Sequence, residues 1–336
     1  MKIVYFYNED WETTYVKDKL HDQEITFLKG TTMDHPNVHN AEAEILSIFV
    51  NSPVGKTEMD RFPNLKHITA RSTGYDHIDL NEAKARSITV SYVPAYGENT
   101  VAEFAMALLL TVSRRMYECI KKVQDEHLFS QIGLRGFDLR GKTIGIIGTG
   151  RIGMHMVHMA RGFEMNVIAF DAHPKDTLAE EQGFRYVSFD ELLAQSDVIS
   201  LHLPSIPETH HIINIDAVKK MKKGCVFINT SRGALVETEA LAYGLKEGIL
   251  LGVGLDVLEE EAFVEDEAKL LFAPHPSEES LKTILVNHYL IDHPRAIIAP
   301  HNGFNTDEAI RRILDTTVEN VKAFEKGDSV NLILGK

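Results

Sequence analysis

Three segments of this 336-residue chain carry side chains able to do chemistry together. Asn229-Thr-Ser-Arg232-Gly233 places an arginine just beyond the apolar run 226–228. Gly254-Leu-Asp256-Val-Leu-Glu259-Glu-Glu261 places carboxylates beyond the apolar run 251–253, and Pro300-His301-Asn-Gly-Phe304 places a histidine beyond 296–299. A guanidinium grips a carboxylate through paired N–H donors, a histidine trades a proton near neutral pH, and a carboxylate beside it orients the ring and favours imidazolium. Such a trio suits a small acid that carries a carbonyl or hydroxyl. A lone Arg, Glu or His is ordinarily a surface group among 35 basic, 49 acidic and 16 histidine residues. The weight therefore rests on the shared position at strand ends, where open α/β sheets bind ligands. Spacing alone does not choose among Glu259, Glu260 and Glu261.

A fourth segment reads as a phosphate cradle. Thr143-Ile-Gly-Ile-Ile-Gly148-Thr-Gly150-Arg-Ile-Gly153 is a buried strand running into G-x-G-x-x-G at a helix start. Gly148 makes the tight turn, Gly150 lets a pyrophosphate approach the backbone, and Gly153 lets the helix pack on the strand. The helix N-terminus then offers unpaired N–H groups and partial positive charge. The next predicted strand, 166–170, ends in Asp171, 23 residues after Gly148 and placed to take a ribose 2′-hydroxyl. That carboxylate repels a 2′-phosphate, and Ala172 and His173 supply no arginine to offset it, so NAD is expected over NADP.

The elements that must position these residues follow a strand-then-helix rhythm. Short runs rich in Ile, Val, Phe and Tyr predict strands at 2–7, 25–28, 45–50, 66–70 and 88–90. Breakers such as Gly30, Pro53 and Gly74 separate them. From Asn99 the pattern becomes a long helix that Asn99 or Thr100 can cap, with Glu103 in its first turn. It reads equally as a bridge between domains or as a core helix. A second series predicts strands at 143–147, 166–170, 198–201, 226–229, 252–255 and 296–299, with helices such as 152–162 and 189–195 between them. Near-continuous apolar strands separated by helices are what a doubly wound parallel sheet requires, because central strands are buried on both faces. A last amphipathic helix is expected over 307–326, stopped by Gly327.

Composition excludes several classes. The net charge of −14 repels phosphate backbones and anionic membranes, so neither nucleic acid nor membrane is an expected partner. Lys219, Lys220, Lys222 and Lys223 form only a short solvated cluster. Cys119 and Cys225 lie far apart in apolar sequence, which argues for free thiols and a reducing, cytoplasmic setting. The first residues alternate like a strand rather than a leader, and the longest apolar stretch, 104–112, is far short of the ~20 residues that span a bilayer. No metal is expected.

Over nearly its whole length the chain resembles the D-isomer-specific 2-hydroxyacid dehydrogenases. The resemblance is carried by Arg71-Ser-Thr-Gly74-Tyr-Asp76-His-Ile-Asp79, Val93-Pro-Ala-Tyr96-Gly-Glu-Asn-Thr100-Val-Ala-Glu103, the glycine motif, Ser200-Leu-His202-Leu-Pro204, and the three strand-end segments above. The resemblance implies an α/β fold of two doubly wound parallel-sheet, Rossmann-like domains. The substrate domain would be discontinuous, 1–100 plus 301–336, with an NAD-binding domain inserted over 101–300 and crossings at Asn99–Thr100 and Pro300–His301. By the same resemblance Arg232 binds substrate and assists catalysis, Glu261 is the histidine's partner and His301 is the acid/base. The family's glutamate stands five residues beyond its aspartate, which selects Glu261. Asp256 would lie at the nicotinamide carboxamide, while Arg151, Ile152, Leu203, Pro204, Thr209, Thr230 and Ser231 line the rest of the cofactor. The backbone of Thr73 and Gly74 would hold the substrate carboxylate, with Tyr96 nearby.

The stretch 262–295 is long, as in lactate-type members and unlike phosphoglycerate-type ones. The expected reaction is therefore the NAD-dependent interconversion of pyruvate and its D-hydroxy acid. Two positions depart from the lactate pattern: Phe104 stands where Val-Ala-Glu is commonly followed by histidine, and Asn51 stands where tyrosine often lies near substrate. The alternatives are a hydroxyisocaproate, glyoxylate, hydroxypyruvate or phosphoglycerate dehydrogenase, or an NAD-responsive corepressor-like protein. Family members are usually homodimers, and the helix after Thr100 is the expected interface.

Overall fold

The computed structural model describes residues 1–261, 264, 278–328 and 330–334. Part of the stretch 262–295 that bears on lactate-type length, namely 262, 263 and 265–277, lies outside them. The chain divides into two compact units, Met1–Gly97 with Asn305–Lys336, and Glu98–Phe304. His301 thus falls in the same unit as Arg232 and Glu261.

The first unit is built on strands β1 (Lys2–Tyr7), β2 (Glu24–Lys29), β3 (Ile45–Ile48), β4 (His67–Ala70) and β5 (Thr89–Ser91), joined by β13 (Leu332–Leu334). Their order is β13-β5-β4-β3-β1-β2. β1 to β5 pair in parallel, whereas β13 runs antiparallel to β5, so this sheet is mixed at one edge and not wholly parallel as expected. The return from a C-terminal helix allows that pairing. The helix Asp307–Lys326 is capped by Thr306 Oγ1, which accepts from Ala309 N–H, and ends at Gly327 with φ +79°. Its Leu314, Val318 and Val321 pack on Ile3, Tyr5 and Ile45. On the other face Val4, Phe6, Leu46, Ile48, Ile68 and Val90 form a second core layer.

The second unit carries β6 (Thr143–Ile147), β7 (Asn166–Phe170), β8 (Arg185–Tyr186), β9 (Val198–Leu201), β10 (Cys225–Asn229), β11 (Leu250–Leu255) and β12 (Ala296–Ile298). Their order is β12-β11-β10-β9-β6-β7-β8, and every pair is parallel. The order reverses at β6, so β7 and β9 flank the strand that feeds the glycine motif. Ile144, Ile146, Ile199, Phe227 and Val253 are fully buried, and each such side chain contributes about 1.5–3 kcal/mol relative to exposure. β8 was not expected: with two residues it offers no apolar run to read.

The long helix is Glu98–Arg114, and it belongs to the second unit. It begins one residue before Asn99, so neither Asn99 nor Thr100 caps it; the Asn99 amide instead donates to Glu103 Oε1 at 3.0 Å. Ala105, Met106, Leu108 and Leu109 are buried in the core of that unit. The apolar face expected to meet a second copy is therefore already covered. Exposed apolar side chains lie further on, at Met116, Tyr117, Ile120 and Val123 of the helix Met116–Gln124, and at Leu128, Phe129 and Ile132.

Candidate active site

The three strand-end segments follow β10, β11 and β12, which are neighbours in one sheet, so all three leave the same edge. After β10 the Asn229 side chain shapes the turn. Its Oδ1 accepts from Ser231 N–H at 2.9 Å and its Nδ2 donates to Arg232 O at 2.9 Å. Ser231 Oγ donates to Leu201 O at 2.8 Å, tying the turn to β9. Arg232 Nη1 donates to Ser231 O at 2.8 Å. A Cβ at Gly233 would stand 2.0 Å from Leu258 O, so glycine is what lets this turn lie against the one after β11.

After β11, Asp256 is almost wholly buried. Its Oδ1 accepts from Asn302 N–H at 2.7 Å and its Oδ2 from Gly303 N–H at 2.8 Å, while its main-chain O accepts from His301 N–H at 2.8 Å. Burial pushes the Asp256 carboxyl up to about 6, against the two N–H donors and His301, which pull it down; Glu261 adds to the rise. Glu261 Oε1 accepts from Leu258 N–H at 2.9 Å, and Glu261 Oε2 lies 3.0 Å from His301 Nδ1. Glu261, and not Glu259 or Glu260, is thus the carboxylate on the histidine ring. The His301 backbone is left-handed, φ +50°, a conformation that Asp256 holds from below. With Nδ1 engaged, Nε2 is the nitrogen left to exchange a proton. Phe104 is half-buried and packs toward Gly303, its Cδ1 being 3.6 Å from where a Cβ would stand there.

The glycine motif fits a dinucleotide. Gly148 has φ +95°, and a Cβ there would meet His202 O at 2.5 Å. A Cβ at Gly153 would stand 2.0 Å from Gly148 O, so turn and helix touch only because residue 153 is glycine. At Gly150, the N-cap of the helix Arg151–Gly162, nothing lies within 4 Å of the same position, which leaves open space at the helix N-terminus for a phosphate. Arg151 pairs with Glu98 at 3.1 Å, and Ile152 is half-buried beside it. Leu203 Cδ2 lies 3.0 Å from the Cβ position of Gly148, and exposed Pro204 follows. Thr209 Oγ1 donates to Pro204 O at 2.7 Å and accepts from Ile206 N–H at 3.0 Å, which closes the 204–209 turn. The Thr230 hydroxyl is buried with no hydrogen-bond partner among the described residues.

Asp171 follows β7, beside the glycine turn, and has a second task that motif reading missed. Its Oδ2 accepts from Thr149 N–H at 2.7 Å and Thr149 Oγ1 at 2.9 Å, and its Oδ1 accepts from His173 N–H at 2.9 Å. Partial burial would raise this carboxyl, yet those donors outweigh it and hold it below the usual carboxylate range. The residue expected at a ribose from the motif is therefore also the staple of the glycine turn. Its signal was present in sequence only as Thr149 inside the motif.

The expected carboxylate contacts belong to the first unit. Ser72 Oγ donates to Gly74 O at 2.6 Å, and Thr73 Oγ1 donates to Val93 O at 2.8 Å, fixing the turn after β4. Tyr96 is half-buried, and its main-chain O accepts from Arg312 Nε. Asn51 is exposed after β3.

Among the described residues no cluster of His, Cys, Asp or Glu could hold a metal, and no helix is long and apolar enough to cross a membrane. The family model for the D-isomer specific 2-hydroxyacid dehydrogenase NAD binding domain matches residues 106–303. A 2-hydroxyacid dehydrogenase homolog of Zymomonas mobilis is 36% identical over 95% of both chains. A glyoxylate reductase of Thermococcus litoralis is 39% identical over 85% of this chain and 82% of its own. The D-lactate dehydrogenase of Aquifex aeolicus, solved with NAD and lactic acid, superposes with a TM-score of 0.85 at 33% identity over 99% of each chain. This chain therefore belongs to the D-isomer-specific 2-hydroxyacid dehydrogenases, with NAD as its cofactor.

Proposed function

We propose that the chain is a D-lactate dehydrogenase, reducing pyruvate to D-lactate and running the reverse oxidation. The observation that carries the acid/base part is the 3.0 Å pairing of His301 Nδ1 with Glu261 Oε2. NADH, when bound, supplies the hydride to the carbonyl carbon. Arg232 grips the substrate carboxylate and stabilises charge at the carbonyl oxygen, which orientation and electrostatics make the larger part of the help. His301 gives a proton from Nε2 to the developing alkoxide, and Glu261 keeps the ring oriented. General acid catalysis of this kind is worth about 10²–10⁴-fold. The main-chain N–H groups of Thr73 and Gly74, with Tyr96, are assigned to the acid's carboxylate as part of this proposal. Gly148, Gly150, Arg151, Ile152, Gly153, Asp171, Leu203, Pro204, Thr209, Thr230, Ser231 and Asp256 are assigned to NAD, with Arg232 beside the nicotinamide.

The choice of pyruvate is supported by likeness to the Aquifex aeolicus D-lactate dehydrogenase over 99% of each chain. Glyoxylate is the second reading, favoured by the 39% identity to the Thermococcus litoralis glyoxylate reductase. A homodimer is also proposed, with its contact on the exposed apolar residues Met116, Tyr117, Ile120, Val123 and Phe129. A cytoplasmic location remains part of the proposal. The test is steady-state NADH oxidation over pyruvate, phenylpyruvate, 2-oxoisocaproate, glyoxylate, hydroxypyruvate and oxaloacetate. The highest kcat/KM with pyruvate, yielding the D product, is expected; a clear preference for glyoxylate moves the chain to the second reading.

A further inference from the structure

Two residues before Glu261 the same turn carries a second carboxylate–imidazole pair. Glu259 Oε1 lies 2.5 Å from His211 Nε2. Glu259 Oε2 accepts from Thr238 N–H at 2.8 Å and from Thr238 Oγ1 at 2.6 Å, at the N-terminus of the helix Thr238–Lys246. The Glu259 main-chain O accepts from Asn287 Nδ2 at 2.7 Å. His211 is itself held, its N–H donating to Ala234 O at 3.0 Å and its ring lying 3.9 Å from that of His210. Donors from three separate segments thus converge on Glu259, whose side chain is 16% exposed against 40% for Glu261. The inner carboxylate is locked and the outer one stays reachable.

Between them Glu260 has φ +54°, a left-handed conformation that a non-glycine residue keeps only where its neighbours enforce it. Glu261 then folds back to accept from Leu258 N–H, which leaves its other oxygen on His301. A glutamate side chain has three rotatable bonds, so its aim is set by how firmly its backbone is held. Outer partners of a working side chain commonly set its orientation in this manner.

We propose that His211 and Glu259 are positioning residues for the reaction, a pair that locks the Leu258–Glu261 turn and thereby aims Glu261 at His301. The inference rests on the reading of Glu261 and His301 as the acid/base pair. Without the His211 donor, Glu259 is left mostly buried with only Thr238 to neutralise it, the turn relaxes, and Glu261 loses its aim. Glu261 meets His301 at the ring and Asp256 holds its backbone, so the readout is kcat for pyruvate reduction in single and double variants, with rescue by the conservative substitution.

The experiment compares the wild type with His211→Ala, His211→Gln, Glu261→Gln and the double variant His211→Ala/Glu261→Gln. His211→Ala should lower kcat by about tenfold, toward the Glu261→Gln value, with NADH Kd unchanged. His211→Gln, whose amide still donates to Glu259, should restore the wild-type kcat. In the Glu261→Gln background, His211→Ala should change kcat by less than about twofold, because the two act through one contact. A wild-type kcat for His211→Ala, or the same rate loss in both backgrounds, overturns the positioning role. If His211→Ala does not fold, Glu259→Gln enters the same comparison and decides by the same outcomes. A wild-type kcat for Glu261→Gln alone instead overturns the acid/base reading itself.

Discussion

His301 and Glu261 meet at 3.0 Å across 40 residues of chain, Nδ1 to Oε2. The contact exists because two carboxylates act on one histidine from different sides. Asp256 fixes the backbone of 301–303 through one carbonyl and two carboxylate oxygens, and Glu261 fixes the ring. Parallel strands β11 and β12 bring both to the same sheet edge.

Glu261→Gln removes the charge while keeping the size and an acceptor for His301. The contact to the ring then loses its charge assistance, a bond worth about 1.5–3 kcal/mol against about 0.5–1.5 kcal/mol for a neutral one. kcat/KM for pyruvate should fall about tenfold, measured by steady-state NADH oxidation. An unchanged kcat/KM would separate Glu261 from proton transfer.

Arg232→Lys keeps the charge but not the fork. Lysine is a compact point donor and cannot make the paired contact to a carboxylate. Losing one charge-assisted bond costs about 1.5–3 kcal/mol, so kcat/KM for pyruvate should fall about 10–100-fold. Equal kcat/KM in the two proteins would make Arg232 a structural residue of the β10 turn.

Asp171 should give a preference for NADH over NADPH of about 10²-fold or more in kcat/KM, from ribose hydrogen bonds and repulsion of a 2′-phosphate. Replacing Asp171 by Ser and Ala172 by Arg should narrow or invert that preference. The structure adds a consequence: Thr149 N–H and Oγ1 lose their shared acceptor. Stability of the double variant should therefore fall by about 1–2 kcal/mol, read by thermal unfolding. Equal use of both cofactors by the wild type would remove Asp171 from cofactor choice.

His67 is buried in β4, its ring nitrogens each 2.8 Å from Thr89 Oγ1 and Ser91 Oγ and its face stacked on Phe324. Burial lowers its pKa to about 4. Below pH ~6.5 the unfolded chain takes up a proton that the folded chain refuses, so stability is lost progressively as pH falls from ~6.5 toward ~4. At pH 5 the loss from this group is about 2 kcal/mol. Calorimetry should show a smaller drop in Tm between pH 7 and pH 5 for His67→Gln than for the wild type; an equal drop would assign the acid sensitivity elsewhere.

Much of this architecture is readable in the chain because it is written as apolar runs. β6 is Thr-Ile-Gly-Ile-Ile and could hardly be anything but a buried strand. The helix Phe189–Gln195 is announced by Ser188, whose hydroxyl accepts from Glu191 N–H. β8 and β13 escaped because two or three residues carry no period, and the antiparallel turn of β13 depends on where the last helix ends. At the site, side-chain types pointed to Arg232 and His301, but Glu261 needed the family's spacing to separate it from its two acidic neighbours. Main-chain donors are invisible in a sequence. That is why the staple from Asp171 to Thr149 N–H and the clamp from Asp256 to Asn302 and Gly303 N–H went unseen.

The central claim is that His301 delivers the proton in the reduction of pyruvate to D-lactate. Steady-state NADH oxidation by the wild type and His301→Ala, with NADH Kd measured separately by fluorescence titration, tests it directly. The wild type should produce D-lactate, and the variant should lose at least about 10² in kcat while binding NADH as before. Near-normal turnover by His301→Ala would contradict the account.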